Sequence, residues 1–156
     1  MHFNILTIFP EMFPGTLGAG VVGRALDKGI WSYDVINIRD FAYNSYGSVD
    51  DEQFGGGKGM VMRPDVLGAA LDSVKNRGCV IYFSPRGPRL NQQMVRRFAA
   101  DQNAVYTLLC GRYEGIDERI IEEYFPSRRH HPETAFERIV LGKKTHLFPC
   151  RMDLSF

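Results

Sequence analysis

The chain's 156 residues, 44% hydrophobic and 24% charged, suffice for one hydrophobic core, so a single globular domain is expected. Its formal net charge of +1 decides nothing about a nucleic-acid partner. No apolar run approaches the ~18 residues of a membrane span, and the sequence opens on a strand pattern rather than a signal peptide. Cys79, Cys110 and Cys150 are scattered without CxxC spacing, which argues against a disulfide frame or a cysteine metal site and for a reducing cytoplasm. Charge is unevenly placed: residues 127–156 hold 6 Lys+Arg against 3 Asp+Glu, and three of the four histidines. Such asymmetry marks either a basic nucleic-acid arm or a segment of different origin.

Phe3 to Phe9 is an apolar run rich in β-formers and ended by Pro10, which predicts a buried strand. Gly20 to Lys28 carries Val21, Val22, Ala25 and Leu26 at helical spacing, with Gly29 as its stop. Trp31 to Ile38 predicts a second strand. From Arg39 to Gly59 runs a long loop rich in glycine, tyrosine and acid, of a length that is usually functional or disordered. Pro64 or Asp65 opens a helix bearing Val66, Leu67, Ala70, Leu71 and Val74, closed by Gly78. Val80 to Ser84 predicts a third strand, and Asn91 an N-cap for a helix with Met94, Val95, Phe98 and Ala99 on its face. Ala104 to Cys110 is the fourth strand. Ile116, Ile120 and Ile121 share the face of a further helix. The alternation predicts an α/β fold with a mostly parallel sheet flanked by helices.

Three glycine-rich stretches invite a ligand. Gly18 to Gly23 matches GxGxxG, and Asp40 lies where a ribose-binding acid would sit. Eight residues separate Phe9 from Gly18, however, whereas a dinucleotide fingerprint turns directly off its strand. Ordinary turn glycines remain the competing explanation. Gly55 to Gly59 lacks the Ser or Thr of a P-loop after Lys58. It reads either as a flexible surface loop or as a lid whose backbone lies against a flat ligand. Asp50, Asp51, Tyr43, Tyr46 and Phe54 supply acids and aromatic faces nearby.

The third stretch, Gly111-Arg112-Tyr113-Glu114-Gly115, follows a strand and opens a helix, which presents backbone N–H groups above the strand end. Tyr82 to Gly87 follows another strand. If those strands are neighbours, the two turns make one crevice suited to an adenosine-like ligand. Glu114 and Asp117 read equally as first-turn carboxylates complementing the helix dipole.

The blocks NILTIFPEMF, GVVGRALDKG, INIRDF, SVDDEQFGGGKGMVMRP, YFSPRG and LLCGRYEGIDERIIEEY, spread over residues 3–124, resemble bacterial tRNA (guanine-N1)-methyltransferases of the TrmD type. The resemblance implies the SPOUT class with its trefoil knot, S-adenosylmethionine as methyl donor and guanosine 37 of tRNA as acceptor. It also implies a homodimer with sites at the interface. By position, Tyr82, Ser84, Pro85, Gly111, Tyr113, Glu114 and Gly115 would surround the donor. Asp50, Gly55, Gly56, Gly57 and Gly59 would lie over the guanine. Glu114 is also the position the family links to magnesium, and Arg112 and Arg86 are candidate phosphate or carboxylate partners. Guanine N1 carries a proton at neutral pH, so the reaction needs a carboxylate base and stabilisation of charge on O6. Among these positions only Glu114 and Arg112 are candidates for chemistry.

After Tyr124 the pattern departs from the family. No counterpart of its GDYVLTGGE segment or of its aspartate base follows. Residues 1–124 therefore read as the donor-binding methyltransferase domain and 125–156 as an atypical basic tail, with the family's C-terminal domain absent. A frameshifted or truncated form is the expectation, with weak methylation by this chain alone. An inactive remnant or RNA-binding module is the alternative, and an NAD(P)-binding protein the third choice.

Overall fold

A computed structural model describes residues 1–53, 56, 59–84, 88–124 and 136–139. Its centre is a five-stranded sheet, all parallel, in the order β2-β1-β6-β5-β7. The strands are β1 (His2–Thr7), β2 (Ser32–Asn37), β5 (Cys79–Phe83), β6 (Val105–Leu109) and β7 (Phe136–Ile139). A separate antiparallel hairpin pairs β3 (Asp50–Glu52) with β4 (Met60–Met62). The helices are α1 (Gly20–Asp27), α2 (Pro64–Ser73), α3 (Gln92–Ala99) and α4 (Glu118–Tyr124). The α/β class and the parallel sheet are as the sequence predicts.

Side chains on successive strand positions point to opposite faces, and this alternation divides the core. Val80, Tyr82, Leu6 and Leu109 face Val66, Leu67, Ala70 and Leu71 of α2 and Ile120 and Ile121 of α4. Ile81 and Tyr106 face the other way, against Met94 and Phe98 of α3. Burial of about 25 cal/mol per Å² makes each such apolar side chain worth roughly 1.5–3 kcal/mol. Polar groups inside the sheet are satisfied. The Asn4 amide donates to the Asn76 carbonyl (3.0 Å) and to Thr107 Oγ1 (3.2 Å), and the Thr107 hydroxyl donates to the Arg77 carbonyl (2.6 Å).

Helix starts follow the sequence signals. Asn91 caps α3, its side chain accepting the Met94 N–H at 3.0 Å, and Pro64 occupies the first turn of α2. α1 differs from the others. Gly23 is its one buried residue, while Val21 and Val22 are exposed.

Three features were not foreseen. The span read as a loop from Arg39 to Gly59 begins inside a 3-10 turn (Ile38–Phe41) and then contributes β3 of the hairpin. The acidic triplet Asp50–Glu52 carries no apolar alternation that would announce a strand. β7 lies in the segment read as an atypical tail, where the sequence suggested no element. It pairs with β5 from Val80↔Phe136 to Phe83↔Ile139, and Ile139 is fully buried. Finally, β6 inserts between β1 and β5, a placement local periodicity does not encode. The trefoil knot expected of the SPOUT class turns on residues 125–135 and 140–156, which lie outside the described residues.

Candidate functional site

β5 and β6 are neighbours, in register from Cys79↔Tyr106 to Tyr82↔Leu109, so their C-terminal ends lie side by side. Tyr82, near the end of β5, is the contact with the turn that follows β6. A Cβ at Gly111 would lie 3.0 Å from the Tyr82 ring, and one at Gly115 would lie 3.2 Å from its hydroxyl. The buried phenol is thus seated against two glycines. Gly115 also has φ +131°, a region side chains rarely enter. Of the crevice anticipated from sequence, the described residues include the contact of Tyr82 with Gly111 and Gly115; the turn from Pro85 to Gly87 lies outside them.

The hairpin closes on the same turn. Glu114 N–H donates to the Met60 carbonyl (3.1 Å) and Met62 N–H donates to the Gly115 carbonyl (3.0 Å). Met62 also bridges Ile116 in parallel fashion. The turn therefore runs along the outer edge of β4 as a third rung. Side chains add to these bonds. Glu114 Oε2 accepts the Met60 N–H at 2.8 Å, and the Tyr113 hydroxyl donates to Asp50 Oδ1 at 3.2 Å. Tyr113 has φ +59°, an uncommon left-handed conformation for a non-glycine residue, which persists where surroundings hold it. Burial first, then the Asp50 carboxylate, raises the Tyr113 phenol above its ordinary pKa.

Other positions resolve differently. Arg112 places its guanidinium over the Phe9 ring at 5.3 Å, within cation–π range. Asp117 caps α4: its Oδ1 accepts the Arg119 N–H at 2.9 Å, and its carboxylate forms a two-bond ion pair with the Arg119 guanidinium. That hydrogen-bonded guanidinium holds Asp117 below the ordinary carboxylate range. The dipole-complementing reading therefore fits Asp117, whereas Glu114 is turned to the hairpin. Ser84 donates its backbone N–H to the Ile139 carbonyl at 3.0 Å, joining the crevice rim to β7. Gly56 is exposed with φ +80°, and Gly59, at φ +100°, faces the Glu114 carboxylate. Pro85, Arg86, Phe54, Gly55, Gly57 and Lys58 lie outside the described residues.

The GxGxxG stretch sits elsewhere in the chain's logic. Two 3-10 turns, Pro10–Met12 and Gly15–Gly18, separate it from β1. A Cβ at Gly23 would collide with the Gly18 carbonyl, so the glycine there serves helix-to-turn packing. Asp40 accepts the Asn37 side-chain amide at 2.9 Å. Cys79 and Cys110 are half-buried, and burial pushes the Cys110 thiol up. Among the described residues no group of three or more His, Cys, Asp or Glu gathers that could hold a metal ion. No described helix is long and apolar enough to cross a membrane.

A family profile described as tRNA (Guanine-1)-methyltransferase TrmD matches residues 1–130. The chain belongs to the TrmD family. Its sequence is 54% identical over 127 residues to a tRNA (guanine-N(1)-)-methyltransferase of Rickettsia akari (strain Hartford), covering 80% of this chain and 53% of the relative. The protein of the same name from Rickettsia prowazekii (strain Madrid E) is 50% identical over 127 residues, with the same coverage. That of Ehrlichia ruminantium (strain Gardel) is 52% identical over 126 residues, 79% of this chain and 53% of the relative. The chain thus spans about half the length of the curated TrmD relatives it matches. Within the matched part, sequence reasoning missed the role of Met60 and Met62, which join the hairpin to the turn. Their alternation after the glycine run was the available signal.

Proposed function

We propose that this chain takes part in methyl transfer from S-adenosylmethionine to N1 of guanosine 37 in tRNA, as a SPOUT-class methyltransferase. The observation that carries the reading is the packing of Tyr82, at the end of β5, against Gly111 and Gly115, with the hairpin bonded to the same turn. When bound, S-adenosylmethionine supplies a methyl group activated by its sulfonium. Tyr82, Ser84, Gly111, Tyr113, Glu114 and Gly115, with Pro85, would hold it. Asp50, Gly56 and Gly59, with Gly55 and Gly57, would lie against the guanine. Such a reaction depends on positioning the acceptor nitrogen in line with the methyl group, and the continuous β4-to-turn ladder suits that task. The cation over Phe9, Arg112, is a candidate for charge developing on O6.

Both carboxylates at the crevice, Asp50 and Glu114, are engaged with Tyr113 and Met60, so turnover by this chain alone is expected to be weak. Magnesium at Glu114 finds no supporting ligand group among the described residues. We assign residues 1–124 to donor binding and treat 125–156 as a segment apart in sequence. Met12, Leu17, Val21, Val22 and Ile30 form exposed apolar surface on and around α1, which supports a homodimer. A tRNA-modifying protein works where tRNA is, so we place it in the cytoplasm.

Calorimetry with S-adenosylhomocysteine tests the donor site, and labelled methyl transfer to unmodified tRNA tests the reaction. Saturable binding of S-adenosylhomocysteine and none of NADH is expected. Binding of NADH in its place would overturn the reading in favour of the GxGxxG stretch.

A further inference from the structure

Glu114 lies 54 positions from Met60 in sequence, yet the two residues share two hydrogen bonds. The Glu114 backbone N–H reaches the Met60 carbonyl, and the Glu114 carboxylate turns back to accept the Met60 N–H at 2.8 Å. This is a closed two-bond ring in which one bond is charge-assisted, and such bonds are about twice as strong as neutral ones. The adjoining residue makes room for it. Gly59 has φ +100°, and a Cβ there would overlap the Glu114 carboxylate. Glycine at 59 is thus required twice, by backbone conformation and by the space the carboxylate fills. The Tyr113 hydroxyl on Asp50 ties the other strand of the hairpin to the same turn.

We propose that Glu114 is a positioning residue whose carboxylate clasps the guanine-side hairpin to the donor-side turn, so that both halves of the site hold one geometry. The consequence for methyl transfer rests on the function proposed above; the clasp itself does not. The role needs an acceptor oxygen and no negative charge, which separates it from metal ligation. An amide at 114 can still accept the Met60 N–H, whereas it is a poor ligand for a hard cation such as magnesium.

Amide exchange at Met60, measured on the full chain without ligand, is the test. Glu114→Ala should accelerate exchange on the order of tenfold to a hundredfold, the loss expected for a hydrogen bond to a charged group. Glu114→Gln, which keeps the acceptor oxygen and loses the charge assistance, should exchange between the parent and Glu114→Ala rates and nearer the parent. Gly59→Ala should reproduce Glu114→Ala, and the double variant should exchange no faster than either single one, because both break the same contact. Glu114→Gln exchanging as fast as Glu114→Ala would overturn the assignment, as would an unchanged rate in Glu114→Ala. So would a magnesium-dependent change in Met60 exchange that Glu114→Gln abolishes. In a second arm, S-adenosylhomocysteine affinity should fall in Glu114→Ala and return in Glu114→Gln. A parent chain that binds no S-adenosylhomocysteine defeats the methyltransferase reading instead, and the exchange rates still decide the clasp.

Discussion

Gly18–Gly23 and Gly111–Gly115 look alike as text: glycines at close spacing, a strand upstream and a helix downstream. In three dimensions they do opposite things. The first is reached only after two 3-10 turns, and its Gly23 is pressed against the Gly18 carbonyl, so its glycines serve the chain's own packing. The second leaves β6 directly, holds Tyr82 against two glycines and bonds to Met60 and Met62 of the distant hairpin. What separates these two turns is therefore not the glycine spacing. It is how the strand feeds the turn and whether a distant segment closes over it.

The contrast can be broken most forcefully at Tyr82. Tyr82→Ala removes a buried aromatic from against Gly111 and Gly115 and should destabilise the fold by about 3 kcal/mol. It should also abolish S-adenosylhomocysteine binding in calorimetry at temperatures where circular dichroism shows the chain folded. Gly23→Ala is the counterpart in the other stretch. Forcing a methyl group onto the Gly18 carbonyl should cost about 2 kcal/mol in urea denaturation, with S-adenosylhomocysteine affinity unchanged. Loss of affinity in Gly23→Ala would mean that the two stretches are not separate. Gly115→Ala should be milder for stability, about 1–2 kcal/mol for a side chain held in a glycine conformation, yet it should weaken S-adenosylhomocysteine.

Asp117 sharpens the comparison at its edge, because it is a cap and not a ligand. Asp117→Ala should lower stability by about 1 kcal/mol, as loss of a helix N-cap does, and leave donor affinity alone. The pH dependence follows from its lowered pKa. A carboxyl depressed in the folded state contributes stability above its unfolded pKa of about 4, and that contribution disappears as pH falls through the folded value. Urea midpoints taken from about pH 5 downward should fall less steeply in Asp117→Asn, which keeps the cap and loses the charge. The effect should be small, since the Arg119 partner is mostly exposed to water.

Much of the architecture was legible because β1, β5 and β6 are compact apolar runs and α2 and α4 show their buried faces. Asn91 was readable as a cap, and Gly111 to Gly115 as a turn above a strand end. Less legible were the segments whose structure comes from partners far away. Asp50–Glu52 is three acidic residues that become a strand only because Met60–Met62 pairs with it. Phe136–Ile139 becomes one because β5 offers an unpaired edge. Glu114 read equally as a helix-dipole acid or a ligand; its actual partner, the Met60 N–H, is invisible to any local pattern. Tyr113 gave no hint of its left-handed backbone, which the contacts on either side impose.

The place of β7 carries a consequence for how the chain is made. Synthesis runs from the N-terminus, so β1, β2, β5 and β6 can leave the ribosome and pair before Phe136 exists. Until Ile139 has emerged, the backbone of Val80 to Phe83 remains an open ladder on the nascent sheet, with no strand to cover it. A neighbouring nascent chain presents the same open edge. The interval between the emergence of Leu109 and that of Ile139 is thus the window in which a chaperone has most to protect, and a stall that holds the chain in it should raise aggregation.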